Sequence, residues 1–250
     1  MTAGPLTSVA SVGPPPVADS VEALREELTA EWGRLLEGSD LAALVHGGEI
    51  DRRLYALYLI ETFHYTRENP RHQALVGARA DADPMYLRFC LKHAADELGH
   101  EMMALHDLRS LGYDVTADDL PEPLEETQVL SAYLYWISER ANPLGRVGYS
   151  FWAESSYEHI GPLLAAAQTT LDLEDRHMTF LVAHAKIDAD HAAEVDQVLR
   201  RFAVTPEDWA AVGRVMRTSL RLTVDMLDAV AREYRAVAEG RSDRLAPLGI

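Results

Sequence analysis

The chain has 250 residues, with 40 acidic against 23 basic side chains and a net charge of −17. That balance argues against sequence-independent nucleic-acid binding, which needs clustered Lys and Arg, and against an anionic membrane surface as partner. Hydrophobic residues make up 48%, enough for a real core, yet no stretch reaches the length of a membrane span.

The single cysteine, Cys90, precludes an intrachain disulfide and points to a reducing compartment, the cytoplasm. Its apolar helical setting, "LRFCLKHA", makes it a buried structural thiol rather than a nucleophile.

Residues 1–18 contain three consecutive prolines and few large apolar side chains. They read as a disordered tail, lacking the basic start and apolar run of a signal peptide. Helical periodicity then dominates 19–240 as one domain, and 241–250 reads as a C-terminal tail. Asp19 and Glu22 form a capping box for the first helix, which stops at Gly38. A second helix covers about 49–67 and a shorter one about 70–80. Asp83, Pro84 and Gly112 bound a long helix over 84–111. After a proline-bearing loop come helices of about 125–141 and 145–169, the latter kinked at Pro162. Glycines at 145 and 148 suggest that this segment can shift. Two more follow, about 172–203 and 206–238, the last capped by Thr205. No segment reads as a strand, so the fold class is all-α, a single bundle of about seven helices.

The motif that carries chemistry is "HAKIDADHAAEV". On a helix, His184, Asp188 and His191 fall at i, i+4 and i+7, on one face. Their neighbours are alanine or apolar, so the stripe faces a core, where unpaired polar groups are costly. The helix 84–111 repeats the spacing in His93, Glu97 and His100. Glu154 and Glu61 sit on two further helices in apolar settings. Carboxylates mixed with imidazoles suit iron or manganese, and six or more ligands exceed one four-coordinate zinc. Four helices converging in this way point to a dinuclear metal site.

Glu97 with His100, then Glu154, then the triplet His184, Asp188 and His191 resemble the pattern of the haem-oxygenase-like di-iron oxidases and oxygenases. The resemblance spans about residues 45–235. It implies a seven-helix fold related to haem oxygenase but without haem. It implies two iron ions held by Glu97, His100, Glu154, His184, Asp188 and His191, with Glu61 as a replacement for Glu97 or a further ligand. His93, on the same face as Glu97, is expected outside the ligand set. The resemblance also implies O2 as co-substrate and oxidation of a small amino-acid- or fatty-acid-like metabolite in a biosynthetic pathway: N-oxygenation, desaturation or oxidative C–C cleavage. An electron donor and a homodimer are among the expected partners. Pocket candidates are His64, Tyr65, Arg67, Tyr157 and Glu158, with Arg67 suited to a substrate carboxylate.

Other readings stay open on the sequence. Glu61, Glu97-x2-His100, Glu154 and Asp188-x2-His191 also follow the order of a ferritin-like four-helix bundle that oxidises iron. That order leaves His184 without a role. A metal-free relative of the same fold, thiaminase-like or a cofactorless oxidase, would need Cys90 in its pocket for the hydrolytic case. A non-catalytic helical interaction protein is the third.

Overall fold

A computed structural model describes residues 19–79 and 81–249; of the side chains within 185–190 nothing is said, and the expected tail at 1–18 lies outside the described residues. The described residues form α-helices and short 3-10 turns: α1 (Val21–Glu37), α2 (Asp40–Gly47), α3 (Arg52–Thr66), α4 (Asn69–Gly77), α5 (Pro84–Asp96), α6 (Glu101–Ser110), α7 (Glu125–Arg140), α8 (Val147–Ala153), α9 (Ser156–Leu171), α10 (Thr179–Phe202) and α11 (Pro206–Ala238). The architecture is an all-α bundle, as expected, but in more pieces than seven.

Two expected helices are each broken in two, and both breaks fall at a site residue. The stretch 84–111 is interrupted at Glu97–His100, where Gly99 adopts φ +96° and ends the α-helical run. Glycine occupies this left-handed region without the steric cost other residues carry. The stretch 145–169 begins as a 3-10 turn, Pro143–Arg146, and breaks between α8 and α9 at Glu154, not at Pro162, which lies inside α9. Three boundaries also differ. Ser20, not Asp19, caps α1 by accepting from Ala23 N at 3.1 Å. The short α2 was not anticipated. Helix α10 starts at Thr179, because Asp172 takes φ 50° and residues 175–177 form a 3-10 turn.

Helix α11 is the spine. Thr205 and Asp208 cap it reciprocally, as its sequence predicts. Its buried stripe, from Trp209 through Val212, Met216, Leu220 and Val224 to Val230, runs along both halves of the core. Helix α3 is buried almost all round, from Leu54 to Phe63, as a central helix must be. At Gly148 a Cβ would sit 2.2 Å from the Val212 carbonyl oxygen. That glycine therefore lets α8 press its backbone against α11. Residues 241–249 are not a loose tail: Leu245 and Leu248 are buried, and Arg244 pairs with Glu61. No helix of the described residues is long and apolar enough to cross a membrane.

Candidate metal centre

The two helix breaks place two carboxylates in the interior. Glu97 caps the C-terminus of α5, its N–H bonding His93 O at 3.0 Å, and Glu154 caps α8 through Ser150 O at 2.9 Å. A helix C-terminus carries partial negative charge, so both acids stand where the backbone disfavours an anion. Only a strong local positive charge makes such a pair tolerable. From α10, His184 and His191 face them, and from α5, His93 does.

These side chains form two groups that share one member. The first holds His93, Glu97, Glu154 and His191, the second Glu97, His100 and His184. Within each group the ligand atoms lie within 4.8 Å of one another. His93 Nε2 is 3.1 Å from Glu154 Oε1. His191 Nδ1 is 3.4 Å from Glu154 Oε2 and 3.7 Å from Glu97 Oε1. His100 Nδ1 is 3.4 Å from Glu97 Oε2 and 3.2 Å from His184 Nε2.

Charge coupling is strong. Burial would raise the Glu154 carboxyl, but hydrogen bonds from His191 and His93 prevail and hold it at about 2. For Glu97, burial pulls upward and the His100 hydrogen bond outweighs it, leaving the carboxyl below its usual value. The same hydrogen bonds raise His100 and His191. Burial lowers His184. Both carboxylates are therefore ionised, and the metal-free cluster keeps them so by protonating imidazoles.

The donor set fits a metal ion. The buried Nδ1 atom of His93 has no hydrogen-bond partner among the described residues. His184 Nδ1 lies 2.7 Å from Phe180 O; a carbonyl only accepts, so Nδ1 carries the proton and Nε2 presents a lone pair to His100. Fixing the tautomer through a backbone carbonyl is how proteins orient ligating histidines. Buried carboxylates and lone-pair nitrogens that converge without enough protons among them call for a shared cation. Asp188 lies on α10 between the two histidines, but its side chain is outside the described residues.

Part of the cluster lines a cavity of about 190 Å³. Glu97, Glu154 and His184 are its charged or imidazole-bearing lining residues. Tyr65, Thr66 and Asn69 add polar atoms, and most of the rest is aliphatic or aromatic, including Leu54, Ile160, Leu164 and Phe180. Among the described residues no Lys or Arg lines it. Of the pocket candidates, Tyr65 and Tyr157 line it.

Other candidates are placed elsewhere. His64 Nε2 bonds Pro121 O at 2.8 Å. Arg67 is half-buried over the Phe63 ring and beside Glu68, and it does not line the cavity. Glu158 is exposed. Glu61 is not with the cluster: Leu124 N at 3.0 Å, the Thr127 hydroxyl at 2.5 Å and the Arg244 guanidinium occupy its oxygens. The ferritin-like order loses its first carboxylate accordingly. His93, expected outside the ligands, stands among them. Cys90 is fully buried, burial pushes its thiol up to about 11, and it does not line the cavity.

Sequence reasoning missed Asn69 and Arg146. Asn69 Nδ2 donates to Glu97 Oε2 at 3.1 Å, and Arg146 Nη2 donates to Asn69 Oδ1 at 2.7 Å. The signal for Arg146 was a lone arginine amid "PLGRVGYSFW"; Asn69 looked like a helix stop before Pro70.

The sequence profile of a family described as iron-containing redox enzymes matches residues 56–224. No curated protein matches the chain. A crystal structure from Shewanella denitrificans OS217, described as a domain of unknown function with a heme oxygenase-like fold, is 44% identical. It covers 92% of this chain and 99% of its own, with a TM-score of 0.87. A TenA homologue from P. horikoshii OT3 is 14% identical over 84% of this chain and 97% of its own, with a TM-score of 0.65. Another from Pyrococcus furiosus is 15% identical over 84% and 98%, with a TM-score of 0.66. At that identity the two TenA homologues share the fold.

Proposed function

The chain belongs to the iron-containing redox enzyme family, and on that premise we propose that it is a non-haem di-iron oxidase or oxygenase acting on a small aliphatic metabolite with O2 as co-substrate. One observation carries the reading: two ligand groups share Glu97, which lines an apolar cavity. One ion would take Glu97, His100 and His184. The other would take Glu97, Glu154, His93 and His191, with Asp188 added on the strength of its helix position. Iron bound there supplies the redox couples that O2 reduction requires and that no side chain provides.

The remaining tasks fall to the chain itself. The aliphatic wall excludes water and holds an apolar body by contact alone. Asn69, which donates to Glu97, places a polar group beside the candidate metal ligands, so the polar head of a bound molecule would be received by the metal there and its aliphatic part by the wall. Among the described residues the wall holds no Lys or Arg, so a free amino acid could give one charged end to the metal but would leave the other without a partner, at a large desolvation cost. A fatty-acid-like substrate, with one polar head and an aliphatic tail, fits better than an amino acid. A thiol-dependent hydrolase on the same fold is disfavoured by the buried, high-pKa Cys90.

The test is to load the metal-free protein anaerobically with Fe(II), measure retained iron, and follow O2 uptake with medium-chain fatty acids and with amino acids. About two irons per chain and uptake stimulated by the fatty acids are expected. No retained iron would sink the metal reading. Uptake stimulated only by polar amino acids would sink the substrate class.

A further inference from the structure

Arg146 is one of the largest fully buried side chains of the molecule, 1% exposed, at the 3-10 turn ahead of α8. A buried guanidinium normally faces a carboxylate, because an unpaired charge in the interior is strongly destabilising. Among the described residues none forms an ion pair with it. Its partners are neutral: Asn69 Oδ1 at 2.7 Å, Ser150 Oγ at 3.0 Å, His72 Nδ1 at 3.3 Å, and the Tyr149 ring, whose centroid lies 4.4 Å from the guanidinium carbon. Burial, followed by the charge of Arg146, keeps His72 well below its ordinary pKa, so its ring stays neutral and accepts.

The compensating anion lies one residue further on. Arg146 fixes the Asn69 amide by holding its oxygen, so that the amide nitrogen must point away, and it points at Glu97 Oε2, 3.1 Å distant. The chain guanidinium–amide–carboxylate is thus directional, and its end is the carboxylate common to both ligand groups. We propose that Arg146, acting through Asn69, is a positioning residue that fixes Glu97 and biases the metal pair toward its ferrous form. The proposal rests on the di-iron reading above. The sign follows from electrostatics. A hydrogen bond donated to Glu97 withdraws charge from the shared carboxylate, and a fixed cation nearby opposes any further positive charge. Both effects weigh against the ferric state, and in a dry interior they are weakly screened.

Asn69→Asp separates this role from packing. The substitution keeps volume and still accepts from Arg146, so a merely structural link survives. Yet it removes the donor to Glu97 and neutralises the guanidinium. Arg146→Met removes the charge outright, and Arg146→Lys restores it. The variants are loaded with iron, checked for helicity, and titrated spectroelectrochemically. In Asn69→Asp the ratio of Fe(III) to Fe(II) association constants should rise at least about tenfold over wild type, with iron content and helicity kept. Arg146→Met should shift the same way if it folds, and Arg146→Lys should stay within about threefold. A wild-type ratio in Asn69→Asp overturns the proposal while leaving the di-iron reading intact. So does an equal shift in Arg146→Lys, since charge would then not matter. Wild-type protein that retains no iron overturns both.

Discussion

Two of the places where the fold buries acidic side chains treat them oppositely. Glu61, 1% exposed, is met by a guanidinium, a backbone N–H and a hydroxyl, so both oxygens are satisfied by the chain itself. Glu97 and Glu154 face imidazoles and one amide, with Nδ1 of His93 left over. Burial of an acid is therefore no sign of a metal. What separates the two places is whether the protein has closed the account of charge and hydrogen bonds without help.

The largest effects should come from exchanging the fates of the two places. Removing one partner of a buried ion pair typically costs about 3–5 kcal/mol. Arg244→Met should therefore lower the thermal midpoint sharply while iron content, measured below that midpoint, stays at the wild-type level. Glu154→Gln should do the reverse, losing at least one iron per chain with the helical signal kept. If Arg244→Met instead stripped the iron from folded protein, the two places would not be independent.

A second contrast concerns protons. His100 and His191 have raised pKa values, so their ion pairs stabilise the metal-free protein fully below the unfolded value of 6.5 and lose that contribution as pH rises through the raised values. Glu154, held at about 2, contributes above its unfolded 4.5 and loses it only as pH falls toward 2. These pairs therefore help most between pH 4.5 and 6.5. A metal ion must displace the imidazole protons, so calorimetry in buffers of different ionisation heat should show more protons released near about pH 6 than near about pH 8.5. Proton release that does not change with pH would mean that these histidines are not the ligands.

The smallest effect is expected at Cys90. Cys90→Ser should leave iron content and oxygen uptake unchanged and cost no more than about 1–3 kcal/mol of stability, from burying a hydroxyl. Loss of activity from the folded, loaded variant would restore a role for the thiol.

The fold class and the approximate helical register were legible because apolar periodicity and strong caps agree, as at Thr205 and Asp208. The clustering of Glu97, His100, Glu154, His184 and His191 was also legible from repeated spacing. The geometry of that clustering was not. The i, i+3 reading of Glu97 and His100 assumed a continuous helix, whereas Gly99 in "ELGH" interrupts it, and the ligands flank a turn. Glu61 misled because an apolar neighbourhood reveals burial but not the partner. That partner, Arg244, lies 183 residues away, and only tertiary structure brings them together. Arg146 and Asn69 were hidden for the same reason.

The Arg244–Glu61 pair bears on how the domain is made. A ribosome releases α3 long before it reaches residue 244, so the nascent chain carries an acid destined for the interior with no cation to meet it. Closing the α3–α7 seam around a bare carboxylate is unfavourable, and the counter-charge for it arrives only once residue 244 has emerged. Sealing that part of the core is then expected to wait for residue 244, and metal offered earlier would meet a bundle not yet closed.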